Sequence, residues 1–115
     1  MSRKIPDRAT ARLKVQAPVF AALGDVTRLS LVVRLSDGQP HSISQLTRGT
    51  RLTRQAVTKH LRVLENAGVV QSTRTGRESL YAFNPQPIEE MRRYLDEVSA
   101  QWDQTLTRLK LFIER

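Results

Sequence analysis

The sequence contains no cysteine, which excludes disulfides, thiolate nucleophiles and cysteine-ligated metal centres. Histidine is nearly absent too. His41 and His60 are the only two, and they fall in different predicted segments, so neither finds an imidazole partner for a metal. No run of about 18 apolar residues occurs, so no segment is expected to span a membrane. The first ten residues, "MSRKIPDRAT", are charged and lack the apolar centre of a signal peptide. A cytoplasmic location is therefore expected. Paired carboxylates, a Ser/His/Asp set and a glycine-rich phosphate loop are all missing in a suitable context, so the chain is not expected to be an enzyme or to carry a cofactor. Acid is also scarce: 11 Asp and Glu stand against 19 Lys and Arg, a formal net charge of +8. That excess favours an anionic partner such as nucleic acid.

What is present suits one compact domain of 115 residues. A core of that size gains from association with a partner. The charge is unevenly placed, at +5 over residues 1–50, +4 over 51–85 and −1 over 86–115, so the last third has a different role. Residues 1–10 read as a flexible basic segment. A helical pattern follows from Ala11 to Leu23, which Pro18 must start or kink. Asp25 is a suitable N-cap for a second helix, ended by Gly38 and expected to bury Leu29, Val32, Val33 and Leu35. The stretch "GQPHS" reads as a loop, and Ser44 as the cap of a short third helix near Gln45–Thr50. Residues 69–84, rich in β-branched and aromatic side chains around Thr75 to Arg77, read as a β-hairpin. A long helix from about Ile88 to Glu114 closes the chain. The expected fold is mainly α with one small hairpin: a winged helix-turn-helix domain over residues 11–85, followed by a C-terminal dimerisation helix over 86–115.

The stretch "LTRQAVTKHLRVLENAGVV", residues 52–70, carries the function. Thr53 can cap its helix, Leu52 can staple against Val57, and "NAG" supplies a glycine stop. At 100° per residue Arg54, Gln55, Thr58, Lys59 and Arg62 share one arc, and Val57, His60, Leu61, Val63 and Leu64 the opposite one. No acid interrupts the polar arc before Glu65. An ordinary solvated face mixes charge signs. A face of Arg, Gln, Thr and Lys can read base edges, Arg on guanine and Gln on adenine, and Arg62 can meet a phosphate. His60, within the apolar arc, is expected to be a packed, satisfied side chain. At the hairpin tip Arg74 and Arg77 can lie along a phosphate backbone. Tyr81 and Phe83, two apart on one strand, are expected in the core.

The segments "FAALGDVTRLSLVVRL", "ISQLTRGTRLTRQAVTKHLRVLENAGVV" and "TGRESLYAF" resemble the ArsR/SmtB-like bacterial transcriptional repressors. The match covers roughly residues 17–84, and "VTKHLRVLENAGVV" is its most specific part. The resemblance implies a dimeric winged-helix repressor that binds inverted-repeat operators in double-stranded DNA and releases them when an inducer binds. It places Thr53, Arg54, Gln55, Thr58 and Lys59 on the recognition helix, residues 53–67, and Arg74 and Arg77 on the wing. Where metal sensors of the family have a Cys-x-Cys pair, this chain reads "HSISQL", with Ser42 and Ser44. Serine hydroxyls are poor ligands for thiophilic metals. The last helix has no histidine for the family's other metal site. No metal sensing is expected, and any small-molecule inducer stays unidentified.

In the last helix Met91, Leu95, Val98, Trp102, Thr105, Leu109 and Phe112 alternate by four and three, and Leu106 and Ile113 widen the seam. It can pack on the chain's own body or on a second copy. Its length, the small domain and the near-neutral charge favour a homodimer, with Trp102 as an anchor. Leu13, Val15, Val19 and Phe20 of the first helix can lie beside it. A competing reading keeps the winged helix but makes it a protein-interaction module. The absence of apolar anchors from the basic arc argues against it.

Overall fold

The structure, a computed structural model, describes residues 7–114, with side chains from Ala11 onward. Of the segment read as flexible and basic, residues 1–6 lie outside the described part, and residues 7–10 belong to the first helix. The elements are α1 (Asp7–Leu23), α2 (Val26–Leu35), β1 (His41–Ser42), α3 (Ile43–Thr47), α4 (Arg54–Asn66), β2 (Val70–Thr75), β3 (Glu78–Phe83) and α5 (Gln86–Ile113). The three strands form one antiparallel sheet in the order β1-β3-β2.

Local chemistry sets the helix ends. Asp25 caps α2, its carboxylate accepting from the Arg28 N–H at 3.0 Å. That bond holds the Asp25 carboxyl below the usual carboxylate range, and the positive charge of Arg28 and the neighbouring His60 reinforce it. Thr53 caps α4 by accepting from the Ala56 N–H at 3.0 Å. The other end of α4 closes in a Schellman arrangement: the Gly68 N–H reaches the Glu65 carbonyl and the Val69 N–H the Leu64 carbonyl, both at 2.9 Å. Gly68 takes a φ of +79° there, a conformation that a side chain would strain. In the hairpin Thr75 pairs with Glu78, leaving a two-residue loop. Gly76 fills its first position at φ +61°, and only Gly68, Gly76 and other glycines have positive φ among the described residues, so the turn is of the II′ kind.

The core joins all these elements. Leu35, Leu46, Val57, Leu61, Leu64 and Val69 are each 0% exposed. Tyr81 is buried and Phe83 packs against the cluster from its edge.

Three expectations change. In α2 the buried positions are Leu31 and Leu35, while Val33 is 72% exposed and Leu29 47%. Apolar residues take up more than half of that helix's circumference, so periodicity did not single out the face turned to α1, α4 and β3. The cap of α3 is Ser42, not Ser44: the Ser42 hydroxyl accepts from the Gln45 N–H while the Gln45 side chain accepts from the Ser42 N–H. His41 and Ser42, read as loop, form a strand against Tyr81 and Leu80. Pro18, which the sequence placed either at a helix start or within one, lies inside α1 and is exposed.

Three substitutions test these stabilising contacts. Leu61→Ala should cost about 2–5 kcal/mol in denaturant unfolding, and Thr53→Ala about 1 kcal/mol through loss of the cap. Because the folded Asp25 carboxyl titrates low, its contribution is complete above the unfolded value of about 3.9 and is lost as pH falls through the folded value. Asp25→Asn should therefore flatten the acid limb of the stability profile below about pH 4.

Candidate nucleic-acid interface

Helix α4 is half sunk into the domain. Its inner face is Val57, Leu61 and Leu64, and its outer face carries exposed Arg54, Gln55, Lys59 and Arg62. With the half-buried Thr58, these four side chains line one shallow groove of about 440 Å³. The residues that the sequence placed on one arc are therefore one surface. Val63, assigned to the inner arc, is 39% exposed at the boundary.

Hydrogen bonding divides that surface further. The Thr58 hydroxyl donates to the Arg54 carbonyl at 2.7 Å, so its proton is spent and its methyl group and lone pairs remain. The Thr53 oxygen is used as the cap. Arg54, Gln55, Lys59 and Arg62 are left as the free donors of the groove. Glu65 is drawn away from them, since its carboxylate accepts a hydrogen bond from the Ser72 hydroxyl on β2. The same contact ties the hairpin to α4. Arg74 and Arg77 are exposed on the hairpin, and the Arg74 Nε–H reaches the Gly76 carbonyl at 3.4 Å across the turn.

Two arginines are spent on contacts within the domain. Arg34 on α2 donates to the Leu46 carbonyl and, at 2.6 Å, to the Gln45 carbonyl, so it holds α3 against α2. Arg28 donates to the Ala22 and Ala21 carbonyls at the end of α1, where a cation also suits the helix dipole. Its guanidinium lies 3.4 Å from His60 Nδ1, and His60 Nδ1 is 3.8 Å from the Asp25 carboxylate. His60 is thus packed and partnered on the side of α4 away from the groove, but at the α2 junction rather than in the core. The signal for Arg28 was its place one turn after a helix boundary, next to the cap Asp25.

Among the described residues no group of three or more His, Cys, Asp or Glu is arranged to hold a metal. His41 is paired with Asp37 at 3.0 Å. No helix among them is long and apolar enough to cross a membrane.

Helix α5 leaves the body at one end. Ile88 and Met91 pack against the core, so Met91, the first residue of the expected interface seam, is already engaged within its own chain. Tyr94 meets Phe20 of α1 edge-on at 6.5 Å. Arg12 lies over the Tyr94 ring at 5.3 Å and pairs with Glu97. From Ser99 to Glu114 every residue is exposed, including Trp102 at 62% and Phe112 at 72%.

Comparison with known proteins fits this geometry. The profile of the bacterial regulatory proteins of the ArsR family matches residues 25–72, from the cap of α2 into the wing. The chain is 38% identical over 79 residues to the HTH-type transcriptional regulator YuzN of Bacillus subtilis, covering 64% of this chain and 86% of that one. Among solved structures, an ArsR-like transcriptional regulator from Rhodococcus sp. RHA1 superposes with a TM-score of 0.78 at 33% identity, covering 89% of this chain and 95% of that one. The fold is shared by the homodimeric winged helix-turn-helix DNA-binding domain of Mb0332 from Mycobacterium bovis, with a TM-score of 0.63, 22% identity and coverage of 90% and 92%. The chain therefore belongs to the ArsR family of bacterial regulatory proteins, as a transcriptional regulator with a winged helix-turn-helix DNA-binding domain.

Proposed function

We propose that this protein is a homodimeric repressor that binds an inverted-repeat operator and does not sense metals. The observation that carries the reading is the groove of α4: four free donors side by side, with the nearest acid, Glu65, held by Ser72. Gln55 and Lys59 are the base readers, with Thr58 offering its methyl group to a thymine. Arg62 and the wing residues Arg74 and Arg77 meet phosphates.

The dimer forms through α5. An isolated stretch of helix with Leu95, Trp102, Leu106, Leu109 and Phe112 exposed gains little from propensity alone and needs a packing partner. Val98 and Leu95 begin the available seam, since Met91 is engaged elsewhere. A second copy supplies the matching apolar face, and the domain of Mb0332 from Mycobacterium bovis, which shares this fold, is homodimeric. Two-fold symmetry then sets two α4 helices about 34 Å apart, in successive major grooves. Against metal sensing stands the use already made of Ser42, whose hydroxyl caps α3. A small-molecule inducer remains compatible with this reading and is unidentified.

Binding to the chain's own promoter should weaken about 10³-fold or more between roughly 50 and 200 mM salt, as lysines and arginines release counterions. Gln55→Ala should reduce the preference for operator over random DNA by about 1–3 kcal/mol in competition shifts. Equal affinity for promoter and random DNA near physiological salt sinks the repressor reading. Trp102→Glu should convert the dimer to monomer in sedimentation velocity and remove operator binding with it. A variant that stays dimeric places the interface elsewhere.

A further inference from the structure

A second, smaller cleft lies beside the reading groove and shares Arg54 with it. Its volume is about 150 Å³, and Ser42, Ile43, Ser44, Arg54, Arg77, Glu78 and Ser79 line it. Three separate elements meet there. The unexpected strand β1 pairs Ser42 with Leu80, which presses the start of α3 against the returning strand of the wing. Ser44 and Ser79 therefore border the same space. The Thr53 cap starts α4 so that Arg54 closes one side, and the turn after Gly76 brings Arg77 to another.

The chemistry of this cleft is one-sided. Ser42 is only 7% exposed and its hydroxyl is engaged with the Gln45 N–H at 3.1 Å. By contrast, neither the Ser44 nor the Ser79 hydroxyl is engaged among the described residues, and neither Arg54 nor Arg77 has an ion-pair partner there. Two arginines and two serines thus bring uncommitted donors to the cleft. Planar guanidiniums grip phosphate oxygens in bidentate fashion, and serine hydroxyls are regular phosphate donors. The single opposing group is the Glu78 carboxylate.

We propose that this cleft seats one phosphate of the DNA backbone, clamped between the recognition helix and the wing. The inference rests on the DNA-binding reading above and adds to it. It takes Arg54 out of the base readers, where the sequence had placed it, and makes Arg54 and Arg77 one positioning device. Ser44 and Ser79 become DNA contacts although they lie on neither the recognition helix nor the wing tip. The seat fixes the register of α4 in the groove, and Glu78 limits how tightly the backbone is held.

The test uses the full chain and a duplex selected from random DNA for tight binding. Methylphosphonate linkages, which remove one phosphate charge, are placed singly along it. One linkage per half-site should weaken wild-type binding about tenfold, as expected for losing hydrogen bonds to a charged group. At that linkage Arg77→Ala and the double variant Ser44→Ala/Ser79→Ala should add less than about twofold, because the partner is already gone. Arg54→Ala should weaken selected and random duplexes alike, and Glu78→Gln should tighten both. Thermal melting of the serine variants should match wild type. Variants that lose the same factor on native and neutralised DNA at every linkage overturn the seat, as does an Arg54→Ala variant that loses only its sequence preference. Failure to select any duplex over random DNA overturns the DNA-binding reading itself, and the seat with it.

Discussion

Everything that α4 presents to the outside depends on the burial of three side chains on its inner face. Val57, Leu61 and Leu64 are fully excluded from solvent, and each contributes about 1.5–3 kcal/mol by that burial. Against a typical total stability of about 5–15 kcal/mol this is a large share. It also fixes rotation, since turning the helix by one residue would expose a leucine and bury Arg54 or Lys59 without a partner. The wing inherits the same constraint. Val69 and Val70 follow Gly68 directly and are as buried as the helix residues before it, so helix and hairpin start from one patch of core. Caps and surface pairs trim this arrangement by smaller amounts.

A net charge of +8 does not describe a uniformly basic surface. Arg28 and Arg34 are consumed by helix-end carbonyls, and Arg12 is held by Glu97 and Tyr94. The remaining cations of the central region are Arg48 and Arg51 in the α3–α4 connection and those on α4 and the wing. Composition pointed to an anionic partner correctly but could not say which arginines were available. That distinction depends on three-dimensional neighbours, such as the end of α1 lying under Arg28.

The parts of the fold legible in the sequence were those with local causes. The caps Asp25 and Thr53, the Gly68 stop, the tight turn at Gly76 and the long final helix each follow from short-range chemistry. What was not legible arises between distant segments. His41 and Ser42 have no strand signal of their own and become one only because β3 offers an edge. Helix α2 has apolar residues over more than half of its circumference, so which part is buried is chosen by α1, α4 and β3 and not by its own periodicity. Ser44 was misread as a cap although the deciding signal, the Ser-x-x-Gln spacing from Ser42 to Gln45, is local. Both serines suit the role, and the capping box with Gln45 selects Ser42. The recognition-helix residues were gathered correctly on one face, but their division by free and spent donors needed the Thr58 bond to the Arg54 carbonyl.

That division bears on why α5 is built as it is. On the proposed reading each protomer has few base readers, Gln55 and Lys59 chief among them. At about 1–3 kcal/mol of discrimination per good contact, two readers separate operator from random sequence by roughly 2–6 kcal/mol. Selecting one site among the many in a genome takes roughly 4–10 kcal/mol, which one protomer reaches only at its upper limit. Adding phosphate clamps does not close the gap, because they hold all sequences equally. Doubling the readers through a rigid two-fold axis does. The exposed apolar face of α5, from Leu95 to Phe112, is then as necessary to specificity as the donors on α4. The clamp at Ser44, Arg54, Arg77 and Ser79 serves the same end from the other side, by fixing how each half of that dimer sits in its groove.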